Sequence, residues 1–458
     1  MKTLLLLLIL NFSASACMLD TEIRISGQII NAKSDKIKIG ETIVPISKDG
    51  RFLFISETDS PVFFDIVYDQ LTWPVYLEPG KTVDLSSDGI NLDSICYKKD
   101  LTNENSYLLT TLKTNESLNA YFNQNWYPLH AGSESALIYA IDSLKQLYLV
   151  DLEKYQVSKK FTEMFTAALN FSLDSFILQY PGRHLEFTGE KILLSREAMD
   201  YIDIKDLQNA EMCDLTTYEE FGRNYIDYQI DNAYREFRGK KHYNLWKMDK
   251  IFGFIKKTFK DQYLSDFWIS KYLADHISFT GVANSRLFVE KFSDICKTEE
   301  FKSTVQSTYN NAVRKRQDHT IKIYKNVNGF KLEAHIFYPE DMNNNIKRPA
   351  VAIFHGGGWT TGTPEWAFNL SRHYAGYGMI GIAVQYRLSN YHDITPIEAM
   401  EDARDLIKWL RINSDSLGIL PHKIAFEGWS AGGHLVTCAA VFPDTLENIK
   451  INSVPDAL

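Results

Sequence analysis

The stretch AFEGWSAGGHLVTCAAVF, residues 425–442, decides the fold of the C-terminal part of this chain. An apolar strand runs into a glycine-flanked turn that bears Ser430, and a run of small residues that favours a helix follows. The serine backbone of such a G-x-S-x-G turn is strained, so the positions two before and two after it must be nearly free of side chain. Gly428 and Gly432 meet that requirement. We therefore predict that Ser430 is a nucleophile, raised above the sheet edge beside the first amides of the helix.

A second glycine-rich turn, HGGGW at residues 355–359, also follows a short apolar strand. When a serine attacks an ester carbonyl, the carbonyl oxygen becomes an oxyanion, and each hydrogen-bond donor to it lowers the barrier by roughly 3–4 kcal/mol. A triglycine loop lets its backbone N–H groups point into the site, and the amide of Ala431 supplies another donor. The two turns together predict acyl transfer.

Apolar strands alternate with helices from about residue 318 to residue 458. This alternation is typical of an α/β fold, in which a mostly parallel sheet is covered by helices on both faces. The helix predicted over residues 396–411 carries an apolar stripe that would lie on the sheet. The stripe consists of Ala399, Ala403, Leu406, Ile407 and Leu410.

Residues 318–458 resemble the first part of an α/β-hydrolase of the hormone-sensitive-lipase-like esterase type. The branch that they resemble is that of bacterial carbohydrate acetyl and feruloyl esterases. The matching pieces are FHGGGWTTGTPEW, GIAVQYRLS, TPIEAMEDARDLIKWLR, LGILPHKIAFEGWSAGGHL and VPDAL. The resemblance implies a serine carboxylic-ester hydrolase that forms an acyl-enzyme at Ser430 and acts on acyl esters of carbohydrates.

The resemblance also implies roles for the residues of both turns. The oxyanion donors would be the amides of Gly357, Gly358 and Ala431, with Gly356 as a further candidate. His355 would organise the loop rather than act as the base. Trp429 stands where the family more often has Asp or Gly, and it would either shape the acyl pocket or simply pack.

The acid and the histidine of a catalytic triad follow the serine in this fold, on loops after later strands. The histidines weighed as the base in this part of the chain are His373, His392, His422 and His434. His434 would lie on the helix behind Ser430, and His392 is a better candidate for a substrate contact than for the base. We therefore expect the triad partners beyond residue 458 and an incomplete esterase here, with an inactive hydrolase remnant in a binding protein of the cell envelope as the alternative.

The N-terminus has the pattern of an export signal. Lys2 precedes an apolar run that is too short to span a bilayer, and the segment SASAC at residues 13–17 follows. We predict a signal peptide over residues 1–16, and Cys17 is either the lipid anchor of a bacterial lipoprotein or the start of a plainly secreted chain.

Two further segments separate the signal from the hydrolase part. Residues 17–98 alternate apolar and polar positions, which predicts a small antiparallel β-sandwich-like domain. Residues 99–312 show apolar positions three and four apart, which predicts a helical domain. Both segments resemble the β module and helical region of Bacteroidota envelope lipoproteins. The basic segment VRKRQDH, residues 313–319, is interpreted as a solvated linker, with anion binding as the alternative.

Net charge and cysteine spacing disfavour some classes of binding partner. The formal net charge of −9 over 458 residues disfavours a nucleic-acid partner. The five cysteines include no C-x-x-C pair and no close cluster with histidine, which disfavours a zinc site. We expect no metal or organic cofactor, a small-molecule or carbohydrate ester as substrate, and membrane contact only through the lipid anchor.

Overall fold

The computed structural model describes residues 21–233, 243–343, 346–442 and 452–458. The predicted signal peptide and Cys17 lie outside the described residues. The chain divides into two compact units, one ending at Tyr228 and the other beginning at Gln229. The division falls within the segment predicted as a helical domain, and the predicted domain boundaries stay predictions.

The first unit starts with short strands in which buried and exposed residues alternate. The strands are β1 Glu22–Ile29, β2 Lys36–Ile39, β3 Thr42–Pro45, β4 Arg51–Glu57, β5 Val62–Tyr68, β6 Leu71–Leu77, β7 Thr82–Ser87 and β8 Cys96–Lys99. They form two sheets with the orders β4-β1-β7-β8 and β3-β2-β5-β6. Buried side chains such as Ile25, Trp73 and Val75 fill the core of this region.

One strand pair differs from the predicted antiparallel arrangement. Strand β1 pairs with β7 in parallel, with Ile25 opposite Val83. Since strands β2–β6 lie between these two in the sequence, the connection is a long crossover, which parallel pairing requires. Alternation alone reports which residues face the core, not the direction of the neighbouring strand.

The helices of the first unit are α1 Thr102–Ala131, α2 Glu134–Leu152, α3 Lys159–Thr188, α4 Arg196–Tyr201 and α5 Thr216–Ala233, the last of which extends past Tyr228. Helix α1 completes the outer edge of β6. The amide of Tyr76 donates to Asn105 Oδ1 at 2.7 Å, and Asn105 Nδ2 donates to the Tyr76 carbonyl at 3.1 Å. Because both residues are fully buried, this side chain replaces the missing strand neighbour.

The second unit contains three helices and an α/β sheet. The helices are α6 Tyr243–Thr258, α7 Gln262–Ile295 and α8 Glu299–Arg314. The elements that follow are β9 Thr320–Val327, β10 Phe330–Phe337, β11 Arg348–Phe354, α9 Phe368–Gly376, β12 Ile380–Val384, α10 Ser389–His392, α11 Pro396–Ile412, α12 Ser414–Leu417, β13 Ile419–Gly428 and α13 Ala431–Val441. The sheet order is β13-β11-β12-β10-β9. Among the described strands only β10 runs against the others, so the predicted mostly parallel sheet is confirmed.

Helices cover both faces of this sheet, as predicted. The stripe from Ala399 to Leu410 on α11 is fully buried and shares a core with Leu435 and Ala439 of α13. On the other face, Phe368 at the start of α9 packs with Val351 and Ile353 of β11. The period of 3.6 residues in α11 was therefore a reliable guide to its buried side.

The last described residues lie along β13. The amide of Phe426 donates to the Ala457 carbonyl at 2.9 Å, and that of Asp456 donates to the Ile424 carbonyl at 2.8 Å. Ala425 and Ala457 form a parallel bridge. These backbone bonds pair the central residues of β13 on its outer edge.

The interpretation of residues 313–319 as a solvated linker is wrong for two side chains. The guanidinium of Arg316 lies between the carboxylates of Glu333 and Glu365, and the side chain of His319 is fully buried. Opposite charges compensate the burial of Arg316. A basic run in a sequence does not reveal which of its residues has a carboxylate partner.

We expect Asp402→Ala to lower the free energy of unfolding by about 3–5 kcal/mol. Asp402 is fully buried on α11, where it accepts from Arg387 Nε at 2.9 Å and from Lys325 Nζ at 2.7 Å. The alanine would leave both cations without their central anion. Urea unfolding measures the change, and Asp415→Ala, which removes an exposed ion pair with Lys347, is the control that leaves stability unchanged. A loss as small as that of the control would contradict the account.

Candidate active site

Ser430 sits in the sharp turn that the sequence predicts between strand β13 and helix α13. Its backbone angles are φ 52° and ψ −122°, a conformation that a residue with a side chain rarely adopts. Its side chain is exposed, while Ala431 directly after it is buried. Strain of this kind persists only where the surrounding structure fixes it, and it clusters at functional sites.

Two glycines allow this turn to pack. A Cβ atom on Gly428 would lie 2.5 Å from the carbonyl carbon of Gly432. A Cβ atom on Gly432 would lie 2.1 Å from the carbonyl oxygen of Phe354, at the end of β11. Both distances are far below van der Waals contact. Any larger residue would push the turn away from its neighbours.

The HGGGW turn lies directly against the serine turn. A Cβ atom on Gly432 would be 2.7 Å from the His355 carbonyl oxygen, and one on Gly356 would be 3.1 Å from the Trp429 carbonyl oxygen. The two turns meet because β11 and β13 are adjacent parallel strands whose carboxyl ends share one edge of the sheet. The structure thus brings together the residues that were predicted from two distant motifs.

Backbone amides of the glycine loop can donate hydrogen bonds to a ligand. Gly357 and Gly358 have φ angles of 116° and 59°, and the Gly357 carbonyl accepts from the amides of Thr360 and Thr361, both at 3.1 Å. Within residues 21–233, 243–343, 346–442 and 452–458, the amides of Gly357, Gly358 and Ala431 have no acceptor. These three N–H groups are therefore available to a ligand oxygen.

His355 is held inside the protein and not at the serine. Its ring Nδ1 lies 2.7 Å from the Gly356 carbonyl, and its ring stacks on Tyr386 at 4.5 Å. The Tyr386 hydroxyl donates to the His355 carbonyl at 2.7 Å. Burial lowers the pKa of His355 to about 4, with the bond to Gly356 and the charge of Glu365 opposing it, so the ring is neutral near pH 7. Tyr386 lies in the matching piece GIAVQYRLS, but sequence reasoning gave it no role at the site.

The other four candidate histidines have different neighbours. The ring of His434 lies edge-on to Trp359 at 5.1 Å, and His434 Nε2 is 3.4 Å from Cys438 Sγ. His392 Nδ1 accepts from the amide of Leu388 at 2.9 Å. His373 and His422 are exposed. In the described part of the chain, no imidazole is hydrogen-bonded to Ser430 Oγ.

Among the described residues, no group of three or more His, Cys, Asp or Glu side chains could hold a metal ion. None of the helices that the structure describes has the length and apolar character needed to cross a membrane.

The region of both glycine turns is similar to a known protein family. Residues 335–454 match the model of the BD-FAE family, and both glycine turns lie inside the match. This part of the chain is thus similar to a BD-FAE domain and to carboxylesterases, the kind of relative that the sequence predicted.

Curated relatives and solved structures share this part of the chain. It is 33% identical over 102 residues to carboxylesterase NlhH of Mycobacterium tuberculosis, which covers 22% of this chain and 30% of NlhH. It is 35% identical over 105 residues to the probable carboxylic ester hydrolase LipM of the same organism, covering 23% of this chain and 24% of LipM. Propionate-bound Est2, a thermophilic esterase of Thermogutta terrifontis, is 34% identical with a TM-score of 0.30, covering 31% of this chain and 54% of Est2. The chain thus spans less than a third of these curated relatives.

We expect Gly432→Ala to lower the free energy of unfolding by about 3 kcal/mol, because its methyl group would collide with the Phe354 carbonyl. Gly376→Ala is the matched control, since nothing lies within 4 Å of a Cβ atom there at the end of α9. Thermal unfolding of both variants measures the difference. Equal stability of the two would show that the contact between the turns is looser than described.

Acid should destabilise the protein in part through His355. Its pKa rises from about 4 in the folded state to about 6.5 on unfolding, so the unfolded chain binds more protons between these values. Stability therefore increases with pH across this window, by about 3 kcal/mol from this group. Urea unfolding at pH 4 to 7 should show a shallower pH dependence for His355→Gln than for the unmodified protein. An equal slope would contradict the burial of a neutral ring, and His373→Gln, on the surface, is the control.

Proposed function

We propose that this protein hydrolyses carboxylic esters through an acyl-enzyme at Ser430. The observation that carries the proposal is the strained conformation of Ser430, exposed at the sheet edge and packed against a glycine loop with unpaired amides. The similarity to carboxylesterase NlhH and to the BD-FAE family supports it.

In the proposed reaction, Ser430 Oγ attacks the ester carbonyl carbon and its proton passes to a general base. The carbonyl oxygen becomes an oxyanion that accepts from the amides of Gly357, Gly358 and Ala431, with Gly356 as a further donor. Collapse of this intermediate breaks the bond to the alcohol, which leaves with a proton. Water then attacks the acyl-enzyme and releases the acid and the free serine.

The backbone amides that would donate to the oxyanion are held in place before substrate binds. Since loop and turn are fixed by backbone contacts between Gly432 and the end of β11, little reorganisation is needed when charge develops. None of the described histidines is hydrogen-bonded to Ser430 Oγ. The proposed roles are therefore those of the nucleophile and the oxyanion donors.

We further propose acyl esters of carbohydrates as the substrates. The resemblance to carbohydrate acetyl and feruloyl esterases supports this class. Trp429 supports it too, because this side chain is 39% exposed next to the nucleophile and lies over Gly356. An aromatic face at this place suits a sugar ring or an aromatic acyl group.

Export to the cell envelope is part of the same proposal. The apolar N-terminal run and the small residues before Cys17 support a signal peptide and a lipid anchor on that cysteine. Substrates outside the cytoplasm, such as plant polysaccharide esters, fit this location.

Ser430→Ala tests the mechanism. The protein, expressed from its complete gene, should hydrolyse short aryl esters and acetylated or feruloylated oligosaccharides, and this variant should lower kcat on the order of a million-fold. Ser416→Ala, which changes an exposed serine of α12, is the control that retains full activity.

Retained hydrolysis in Ser430→Ala would rule out the nucleophile. An unmodified protein that binds glycans through residues 18–311 but cleaves no ester would favour a non-catalytic role in the envelope instead.

A further inference from the structure

The oxyanion loop, defined here as residues 355–366, is a compact unit whose two halves touch. The first half carries Gly357 and Gly358. A Cβ atom on Gly357 would lie 2.1 Å from the Thr361 carbonyl oxygen, and one on Gly362 would lie 2.4 Å from His355 Nδ1. Because no space separates the halves, a displacement of the second half moves the donor amides of the first.

A buried carboxylate holds the second half of the loop. Glu365 Oε1 accepts from Arg316 Nη1 at 2.7 Å, and Glu365 Oε2 accepts from the hydroxyl of Thr363. Burial raises the pKa of Glu365, but Thr363 and Arg316 outweigh it and keep the pKa below its usual value. The charged side chain thus ties the loop to Arg316, which precedes β9 and pairs with Glu333 of β10 as well.

A break in helix α7 supports the loop from the other side. Gly281 has φ 75° and ψ 178° within the helix, and a Cβ atom there would lie 2.7 Å from Thr363 Oγ1. One turn earlier, the Ser278 carbonyl accepts from Trp366 Nε1 at 3.0 Å, and the Phe279 ring meets the Trp366 ring edge-on at 5.8 Å. The helix backbone approaches this closely only because residue 281 has no side chain.

We propose that Gly281, Arg316 and Glu365 are positioning residues, which hold the oxyanion loop so that its amides meet the oxyanion formed at Ser430. The role rests on the proposed esterase function. It makes the helical segment before the sheet a part of the catalytic unit. An error of about 1 Å in such a placement costs up to about 100-fold in rate.

The test compares two variants with matched controls. Glu365→Gln removes the charge opposite Arg316, and Gly281→Ala forces α7 away from Thr363. The control for Glu365→Gln is Glu290→Gln, which breaks an exposed pair with Arg286 on α7. The control for Gly281→Ala is Gly253→Ala, at an open position of α6. Hydrogen exchange of the peptide over residues 355–366 and steady-state hydrolysis of an aryl ester are measured for all.

In the two variants we expect exchange of the Thr360 and Thr361 amides to be roughly tenfold faster or more, with the strand amides of β11 and β12 unchanged. We expect kcat to fall about 10- to 100-fold while KM changes less than about threefold. Arg316→Lys, which keeps a cation opposite Glu365, should retain most of the kcat that Arg316→Met loses.

Two results would overturn the proposal. One is unchanged exchange of the loop in both variants. The other is faster exchange that is uniform over the whole sheet, which would reveal a contribution to stability alone. If the unmodified protein hydrolyses no ester, the proposed function fails, and loop exchange by itself decides whether these residues position the loop.

Discussion

The proposed catalytic geometry of this chain depends on a contact between two pieces of backbone. The helix that begins after Ser430 touches the end of β11 so closely that a single Cβ atom on Gly432 would overlap the Phe354 carbonyl. This contact holds the turn that bears Ser430, whose φ is positive, against the end of β11 next to the glycine loop.

The rest of the second unit keeps these two turns in register. Parallel pairing of β11 with β13 brings their carboxyl ends to one edge, and the buried stripe of α11 covers the sheet on one face. The stacked pair of His355 and Tyr386 fills the space beneath the loop. The largely buried ion pair of Arg316 and Glu365 holds the second half of the loop. The strand pairing, the stacked rings and the ion pair each restrict the positions of the two turns.

Features that depend on neighbours in the sequence could be predicted from it. The elbow around Ser430, the triglycine loop and the stripe from Ala399 to Leu410 are local patterns with one steric explanation each. Features that depend on distant partners could not. The side chain of Arg316 is paired with Glu333 and Glu365, and the break at Gly281 matters because Thr363 lies against it. The parallel pairing of β1 with β7 involves a long crossover. The residues next to these positions in the sequence do not indicate the ion pairs, the helix break or the parallel pairing.

The most direct test of the account is a crystal structure of the protein after reaction with an aryl phosphonate ester, which mimics the tetrahedral intermediate. The account predicts phosphorus bonded to Ser430 Oγ and a phosphoryl oxygen about 3 Å from the amides of Gly357, Gly358 and Ala431. A phosphonate bonded to another residue, or a phosphoryl oxygen directed away from the glycine loop, would contradict it.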